Sequence, residues 1–282
     1  MQFYNSRADI FVPDGLDAQQ ALKRTTVMSI VAHQDDGEIM AYQAIADCFQ
    51  NDAAWFTCVV LTEGGGSPRS GKYEHYTNDQ ISIKRSQEQR DAAVVGEYSA
   101  VLQLAYASED VRDKKNGHIE EELASILDIS QPSVVYTHNP FDRHSTHVKT
   151  LFRTLNAIRM LPVERRPRRF YGMEVWRSLD WLSQDCRMVF DTSKNPSIAQ
   201  GVITAFESQC TEKKRFDLAI QGRRMANSTF SEPRDINHID TCNIGMNLTP
   251  LIVDDDLDVL RFAMEHVDKF REEVKEFIIM LS

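Results

Sequence analysis

An α/β fold is predicted for this chain of 282 residues, with a mostly parallel sheet, helices on both faces and an elaborated C-terminal half ending in a long helix. Three observations predict it. Apolar runs of strand length recur at 27–32, 56–62, 100–105 and 133–137, and such near-continuous runs are what parallel strands covered on both faces require. Helix-period patterns separate them, giving four strand–helix steps in the rhythm of a parallel sheet. Titratable side chains gather where two of the runs exit, and in open α/β sheets ligands bind at that edge. The arrangement so described is Rossmann-like.

Before the first strand, Asp17-Ala-Gln-Gln-Ala-Leu22 reads as a short helix entering the sheet. The strand over 27–32 runs straight into His33-Gln-Asp35-Asp36-Gly-Glu38. Ala41, Ala44, Ile45 and Cys48 then recur at helical spacing, so His33, Asp35 and Asp36 fall in the turn between strand and helix. The second strand ends in Glu63-Gly-Gly-Gly-Ser-Pro-Arg69-Ser-Gly71, which lacks both the P-loop lysine pattern and the Gly-x-Gly-x-x-Gly register. It reads as a flexible rim where substrate approaches the backbone, with Arg69 as a substrate contact, rather than as a dinucleotide site.

Thr77-Asn-Asp-Gln80 fits a capping box, after which Ile81, Arg85, Glu88, Ala92 and Val95 share one side of a helix. Arg85 and Glu88, one turn apart, form either a surface ion pair or, for Arg85, a substrate-orienting group. A third strand and a helix over 119–129 lead to the fourth strand. Its exit carries His138, Asp142, His144 and His147, and Val148, Leu151, Phe152, Leu155 and Ile158 mark an amphipathic helix behind them.

If the first and fourth strands are neighbours, their two turns meet at one edge of the sheet. An imidazole and a carboxylate three residues on can bind one divalent ion from a tight turn, leaving a second carboxylate between them to handle protons. Two histidines and one carboxylate with an open position form the catalytic rather than the closed structural zinc pattern. His138 and Asp142 then suit a supporting role, because metal-bound imidazoles need a partner for their other ring nitrogen. His75 is ambiguous, and His118, His238 and His266 read as surface or packing residues.

The turns His33-Gln34-Asp35-Asp36-Gly37 and His144-Ser145-Thr146-His147 resemble the His-Pro-Asp-Asp-Glu and His-Pro-Asp-His motifs of the PIG-L/LmbE-like family of zinc-dependent N-acetylglucosaminyl deacetylases. The resemblance implies that His33, Asp36 and His147 ligate zinc. It implies Asp35 as general base toward a metal-bound water, and protonated His144 as the group that steadies the tetrahedral oxyanion. A small-molecule N-acetylated sugar conjugate is the implied substrate, with iron(II) or another divalent ion as the alternative metal. Gln34, Gly37, Ser145 and Thr146 depart from the motifs, and Glu38 stands one place late. The likeness extends more weakly through the Gly-rich turn, the Arg85/Glu88 helix and Ser208-Gln209. Two other classes compete. A non-haem iron(II) oxygenase also uses two histidines and a carboxylate, and a non-catalytic metal-containing binding protein would explain Gly37 and Thr146.

In the second half, strand patterns over 170–176 and 187–191 precede helical patterns over 197–209 and 216–225. Tyr171, Glu174 and Trp176 read as core in preference to a sugar cleft. Leu260, Ala263, Val267, Phe270, Val274, Phe277 and Leu281 form a heptad seam, expected to pack against the sheet domain, with subunit pairing in a homo-oligomer as the alternative.

Hydrophobic residues at 42% and charged ones at 26% suit one globular domain over 1–282. A formal net charge of −10 and a pI near 5.3 argue against nucleic acid or an anionic membrane as partner, and Glu164-Arg-Arg-Pro-Arg-Arg169 reads as a solvated loop. Five scattered cysteines point to reduced thiols in a cytoplasmic protein. The N-terminus lacks a signal-peptide pattern, and no apolar run reaches the ~20 residues of a membrane span.

Overall fold

The computed structural model describes residues 3–231 and 239–282. Its main sheet is built from β1 (Asp9–Phe11), β2 (Val27–Val31), β3 (Phe56–Thr62), β4 (Ala100–Tyr106), β5 (Val134–His138), β6 (Arg169–Met173) and β7 (Arg187–Asp191). The strands β8 (Cys210–Thr211) and β9 (Lys214–Arg215) make a separate hairpin, and β10 (Cys242–Asn247) returns to the main sheet. The spatial order is β1-β4-β3-β2-β5-β6-β10-β7. From β4 to β6 the strands run parallel, whereas β1 at one edge and β10 near the other are antiparallel to their neighbours.

The helices are α1 (Ala18–Lys23), α2 (Asp36–Met40), α3 (Tyr42–Cys48), α4 (Asn78–Val95), α5 (Ser108–Arg112), α6 (His118–Ser130), α7 (Ser145–Arg159), α8 (Pro196–Thr204), α9 (Phe216–Ser231), α10 (Thr249–Val253) and α11 (Val259–Leu281). They cover both faces, and strand alternation divides the core between them. Val59 and Leu61 of β3 join Met28, Ile30 and Leu102 on the face beneath α1, α6 and α7. Phe56, Cys58 and Val60 join Val31 and Val101 on the face beneath α3 and α8. Every residue of β3 is buried, and each large apolar side chain so buried contributes roughly 1.5–3 kcal/mol.

The chain builds β2, β3 and β4 outward in one direction and then returns to lay β5 and β6 on the other side of β2. The switch point thus lies between β2 and β5, which pair Val27 with Val134, Met28 with Val135 and Ser29 with Tyr136. The neighbour relation expected of the two histidine-bearing strands is therefore present. The capping box is also present: the Gln80 backbone N–H donates to Thr77 Oγ1 at 3.2 Å, and the Thr77 N–H donates to Gln80 Oε1 at 2.8 Å.

Several expectations are corrected. The helix expected over 197–209 stops at Thr204, because the buried Glu88 carboxylate draws Ser208 into a turn through its backbone N–H (2.7 Å) and its hydroxyl (2.6 Å). The strand expected over 170–176 ends at Met173. Beside it lies β10, which the sequence reading does not include although Cys242, Ile244 and Met246 alternate with Asn243, Gly245 and Asn247 at strand period; a side chain at Gly245 would meet Met173 Sδ at 2.5 Å.

The heptad seam does not pack along the sheet domain as expected. Only Val259 and Phe262 of α11 are buried, Phe270 meets Trp181 edge-on at 5.7 Å, and Phe277 to Leu281 are exposed. A helix of 23 residues is about 35 Å long, and beyond Phe262 it meets the 181–186 segment through Phe270 against Trp181 and Lys269 against Asp185 before running on exposed. Among the described residues, no helix is long and apolar enough to cross a membrane. His238 lies outside the described residues.

Candidate metal centre and active-site cavity

Residues His33 to Asp36 follow β2 directly, and His138 to His147 span from the end of β5 into α7. Their side chains meet at the switch point. His33 Nδ1 lies 3.1 Å from His147 Nε2 and 3.2 Å from Asp36 Oδ2, and His147 Nε2 lies 3.4 Å from the same carboxylate oxygen. Donors about 2.0–2.1 Å from a zinc ion in a tetrahedral shell stand about 3.4 Å apart, so this triangle has the dimensions of three corners.

Among the described residues two clusters could hold an ion, one of His33, His144 and His147 and one of Asp36, His138 and His147. His138 fits less well. Its Nε2 lone pair accepts the Ala32 N–H at 2.9 Å, and its ring stacks on that of His147 at 3.9 Å, so it orients its neighbour. Asp142 Oδ2 stands 3.4 Å from His147 Nδ1 while accepting the Trp176 N–H at 3.0 Å; its Oδ1 accepts the His144 N–H at 2.9 Å. That is the carboxylate–imidazole support expected behind a ligand.

The motif departures have local reasons. Gln34 is buried where the motif has proline, and its amide donates to Thr62 O at 3.1 Å and Gln103 Oε1 at 3.2 Å. A Cβ at Gly37 would meet Cys58 Sγ at 3.0 Å and Ser29 Oγ at 3.2 Å, leaving no room for a glutamate. Glu38 is wholly buried instead, accepting hydrogen bonds from Gln89 Nε2 (2.7 Å) and Tyr98 OH (2.8 Å). Gln89 also accepts the Asp35 N–H at 3.3 Å. Asp35 itself is left-handed, with φ at 80°, a strained setting for a residue with a side chain and one that concentrates at functional sites.

The two adjacent carboxyls differ in charge behaviour. Burial pushes the Asp35 carboxyl up to about 7 against the pull of the Arg85 guanidinium. Burial also acts to raise Asp36, but His147, His138 and His33 outweigh it and hold Asp36 below the ordinary carboxylate range. Burial lowers His33 and His138 as well, keeping their rings neutral. Burial, followed by the neighbouring His147 and His33, brings His144 down to about 4. Burial acts to lower His147 too, but the Asp36 and Asp142 carboxylates outweigh it and raise this ring, so a divalent cation held by His33, Asp36 and His147 would have to displace a proton from His147.

A cavity of about 960 Å³ opens over the triangle, lined by His33, Asp35, Asp36, Arg69, Arg85 and His144 among others. Arg85 is buried and does not pair with Glu88. Its guanidinium donates to Gln34 O at 2.5 Å and lies 3.2 Å from Asp35 Oδ2, while Glu88 faces Lys84 at 3.4 Å. The surface-pair reading of Arg85 is thereby corrected. Arg69 donates to Gly65 O at 3.0 Å and to Asn78 Oδ1, tying down the Gly-rich turn. Trp176, read from the sequence as core, is 44% exposed and lines the cavity, whereas Glu174 is wholly buried. His75 and His118 are exposed and lie outside the site. Lining residues with no sequence signal are Arg112 of α5, Lys214 of β9 and Arg223 of α9; nothing in their local pattern marks them, since distant turns bring them together.

A two-histidine, one-carboxylate triangle at the switch point of a Rossmann-like sheet has the make-up of a metal-hydrolase centre. Residues 28–158 are PIG-L-like: a family model described as PIG-L, GlcNAc-PI de-N-acetylase, matches them, so the resemblance carried by the two histidine turns holds. No curated protein matches the chain. Solved structures similar in fold include the N,N′-diacetylchitobiose deacetylase from Pyrococcus horikoshii, at 15% identity and a TM-score of 0.63 over 85% of this chain and 90% of that one. The A40926 pseudoaglycone deacetylase Dbv21 is similar at 14% identity and 0.59, over 79% and 97%. The 4-carboxy-2-hydroxymuconate hydratase GalB from Pseudomonas putida is similar at 15% and 0.63, over 79% and 96%. The fold therefore hosts more than one chemistry, and the site has to decide among them.

Proposed function

We propose that the chain is a metal-dependent N-deacetylase acting on an N-acetylated sugar conjugate. The observation that carries this reading is Asp35, a cavity-lining carboxyl raised to about 7 beside the His33–Asp36–His147 triangle. A general base is most effective when its pKa lies near the working pH. His33, Asp36 and His147 would hold the ion, zinc in the first instance with iron(II) or another divalent metal as alternatives. When bound, the ion would supply Lewis acidity toward the amide carbonyl and lower the pKa of water.

The remaining chemistry belongs to the chain. Asp35 takes a proton from the attacking water and returns it to the departing amine nitrogen. Arg85 favours the ionised form of Asp35 and holds the Gln34 backbone, fixing the strained turn. His144 is kept neutral, so its contribution is a ring N–H donated to the carbonyl oxygen as charge develops there rather than a full imidazolium. Arg69 and Trp176 border the space left for the sugar. The five thiols, none of them in a disulfide, favour a reducing, cytoplasmic setting.

The test is release of acetate and free amine from a panel of N-acetylated sugars, with metal added and with the metal chelated. Metal-dependent amine release is expected. Protein with full metal occupancy that releases none across the panel would sink the reading and favour a binding role.

A further inference from the structure

Deacetylation converts a neutral acetamide into an amine that takes up a proton in water, so substrate and product of the proposed reaction differ by one positive charge at the reacting nitrogen. The cavity meets that nitrogen with cations. Arg69, Arg85, Arg112, Lys213, Lys214 and Arg223 line it against two carboxylates, Asp35 and Asp36, although the whole chain carries −10. Of these cations only Arg85 has an ion-pair partner among the described residues, and that partner is Asp35. Burial is the main influence that brings the Lys214 ammonium down to about 8; next come the Arg85 guanidinium, which repels it, and the Asp35 carboxylate, which holds it. The charge of Lys214 therefore acts at the reacting end of the cavity.

Lys214, on the β8–β9 hairpin, is fixed there by its neighbours. An ammonium group has three donors, and Lys214 Nζ uses two of them, toward Ser67 Oγ at 2.9 Å and Pro68 O at 3.0 Å. Ser67 Oγ also accepts from Gln209 Nε2 at 3.3 Å, Gln209 Nε2 donates to Ser208 Oγ at 2.9 Å, and the Ser208 hydroxyl donates to the Glu88 carboxylate at 2.6 Å. Glu88, Ser208 and Gln209 are all buried. The chain of bonds ends on α4, the helix that also carries Arg85 to Asp35, so one element sets both cations beside the same carboxylate. The Phe216 ring centroid lies 5.3 Å from Nζ and closes the apolar side. Arg85 offsets Asp35 and Lys84 offsets Glu88 at 3.4 Å, which leaves the positive charge of Lys214 uncompensated.

We infer that Lys214 is a specificity-determining residue that selects against the protonated amine, so that the N-acetylated sugar is retained in the cavity and the amino sugar is expelled once it forms. The inference rests on the deacetylase reading for the identity of the product but not for the repulsion. Charges in a concave, partly dry space act on one another more strongly than in bulk water. The amine nitrogen forms beside Asp35, whose carboxylate is already engaged by Arg85. A new ammonium there gains little attraction and meets the repulsion of Lys214.

The experiment uses metal-loaded protein at about pH 6, where such an amine is protonated, and the methyl glycosides of N-acetylglucosamine, glucosamine and glucose. Acetate release from the first gives KM, and its inhibition by the second gives the Ki of the product. Ki should exceed KM by about tenfold or more, with the gap narrowing as salt is raised. Lys214→Gln keeps a hydrogen-bonding group toward Ser67 but removes the charge, so it should lower Ki toward KM, and Lys214→Arg should restore the gap. Equal Ki and KM in the unmodified protein, or a gap that Lys214→Gln leaves unchanged, would overturn the inference while leaving the deacetylase reading intact. If no acetate is released, that reading fails, and calorimetric titration with the glucosamine and glucose glycosides, which differ by an ammonium against a hydroxyl, decides the point without turnover. Weaker binding of the amino sugar that Lys214→Gln relieves sustains the inference; equal affinities, or binding of neither sugar, refute it. Lys214 lies on a two-residue strand, so the melting curve of the variant is recorded, and Lys214→Met serves if the glutamine variant does not fold.

Discussion

At the scale of single residues, Asp35 and Asp36 are adjacent in sequence and opposite in environment. Asp36 sits among three imidazoles that keep it ionised, while Asp35 is turned by a left-handed backbone into the cavity, where burial raises it toward neutrality. Their amides should therefore behave differently. Asp35→Asn should keep its metal and lose turnover by a factor on the order of 10² or more, the scale of a lost general base. Asp36→Asn should lose metal affinity first, with part of the activity recovered by added zinc. Metal content and kcat of the two variants check this; the reverse pattern would exchange the two roles. The base form of Asp35 exists above its pKa, so kcat/KM should rise with pH through a limb at or below about 7, since a bound cation lowers that pKa further. The limb should be missing in Asp35→Asn.

Elements were legible from the sequence where period and burial agreed. The all-buried β3, the capped α4 and the amphipathic α7 coincide closely with their expected spans because local pattern and tertiary placement ask for the same residues. Elements that depend on a neighbour were not legible. The strand β10 does alternate, Cys242, Ile244 and Met246 against Asn243, Gly245 and Asn247, but its asparagines and glycine are poor strand formers, and pairing with β6 and β7 overrides that propensity; the two-residue strands β8 and β9 are too short to carry a period. On α11, pattern and placement disagree. Phe262→Asp, at its buried start, should destabilise the protein by roughly 2–4 kcal/mol, the cost of an unpaired charge in an apolar contact. Phe277→Asp, in the exposed part, should change monomer stability by no more than about 0.5 kcal/mol. Denaturant melts at two protein concentrations check both. A concentration-dependent midpoint in the unmodified protein, abolished by Phe277→Asp, would show that the seam is a subunit contact.

For the whole molecule, the centre joins two turns about a hundred residues apart, so an ion bound there braces the β2–β5 switch point and stabilises the folded state by mass action. Added zinc should raise the melting temperature of chelator-treated protein, and His147→Ala should remove most of that rise. An equal rise in the variant would place the ion elsewhere. The sequence alone determined the β–α alternation, both histidine turns and the ligand-type residues, because period, strand exits and donor chemistry are local properties of the chain. Tertiary structure decided which histidine keeps a free lone pair, since the Ala32 N–H occupies that of His138. It also decided between the two readings left open for Arg85, burying it in the cavity wall beside Asp35 rather than in a surface pair with Glu88, and brought Arg112, Lys214 and Arg223 into one cavity. Those outcomes depend on which distant backbone and side-chain groups meet at the switch point, and no local pattern records that.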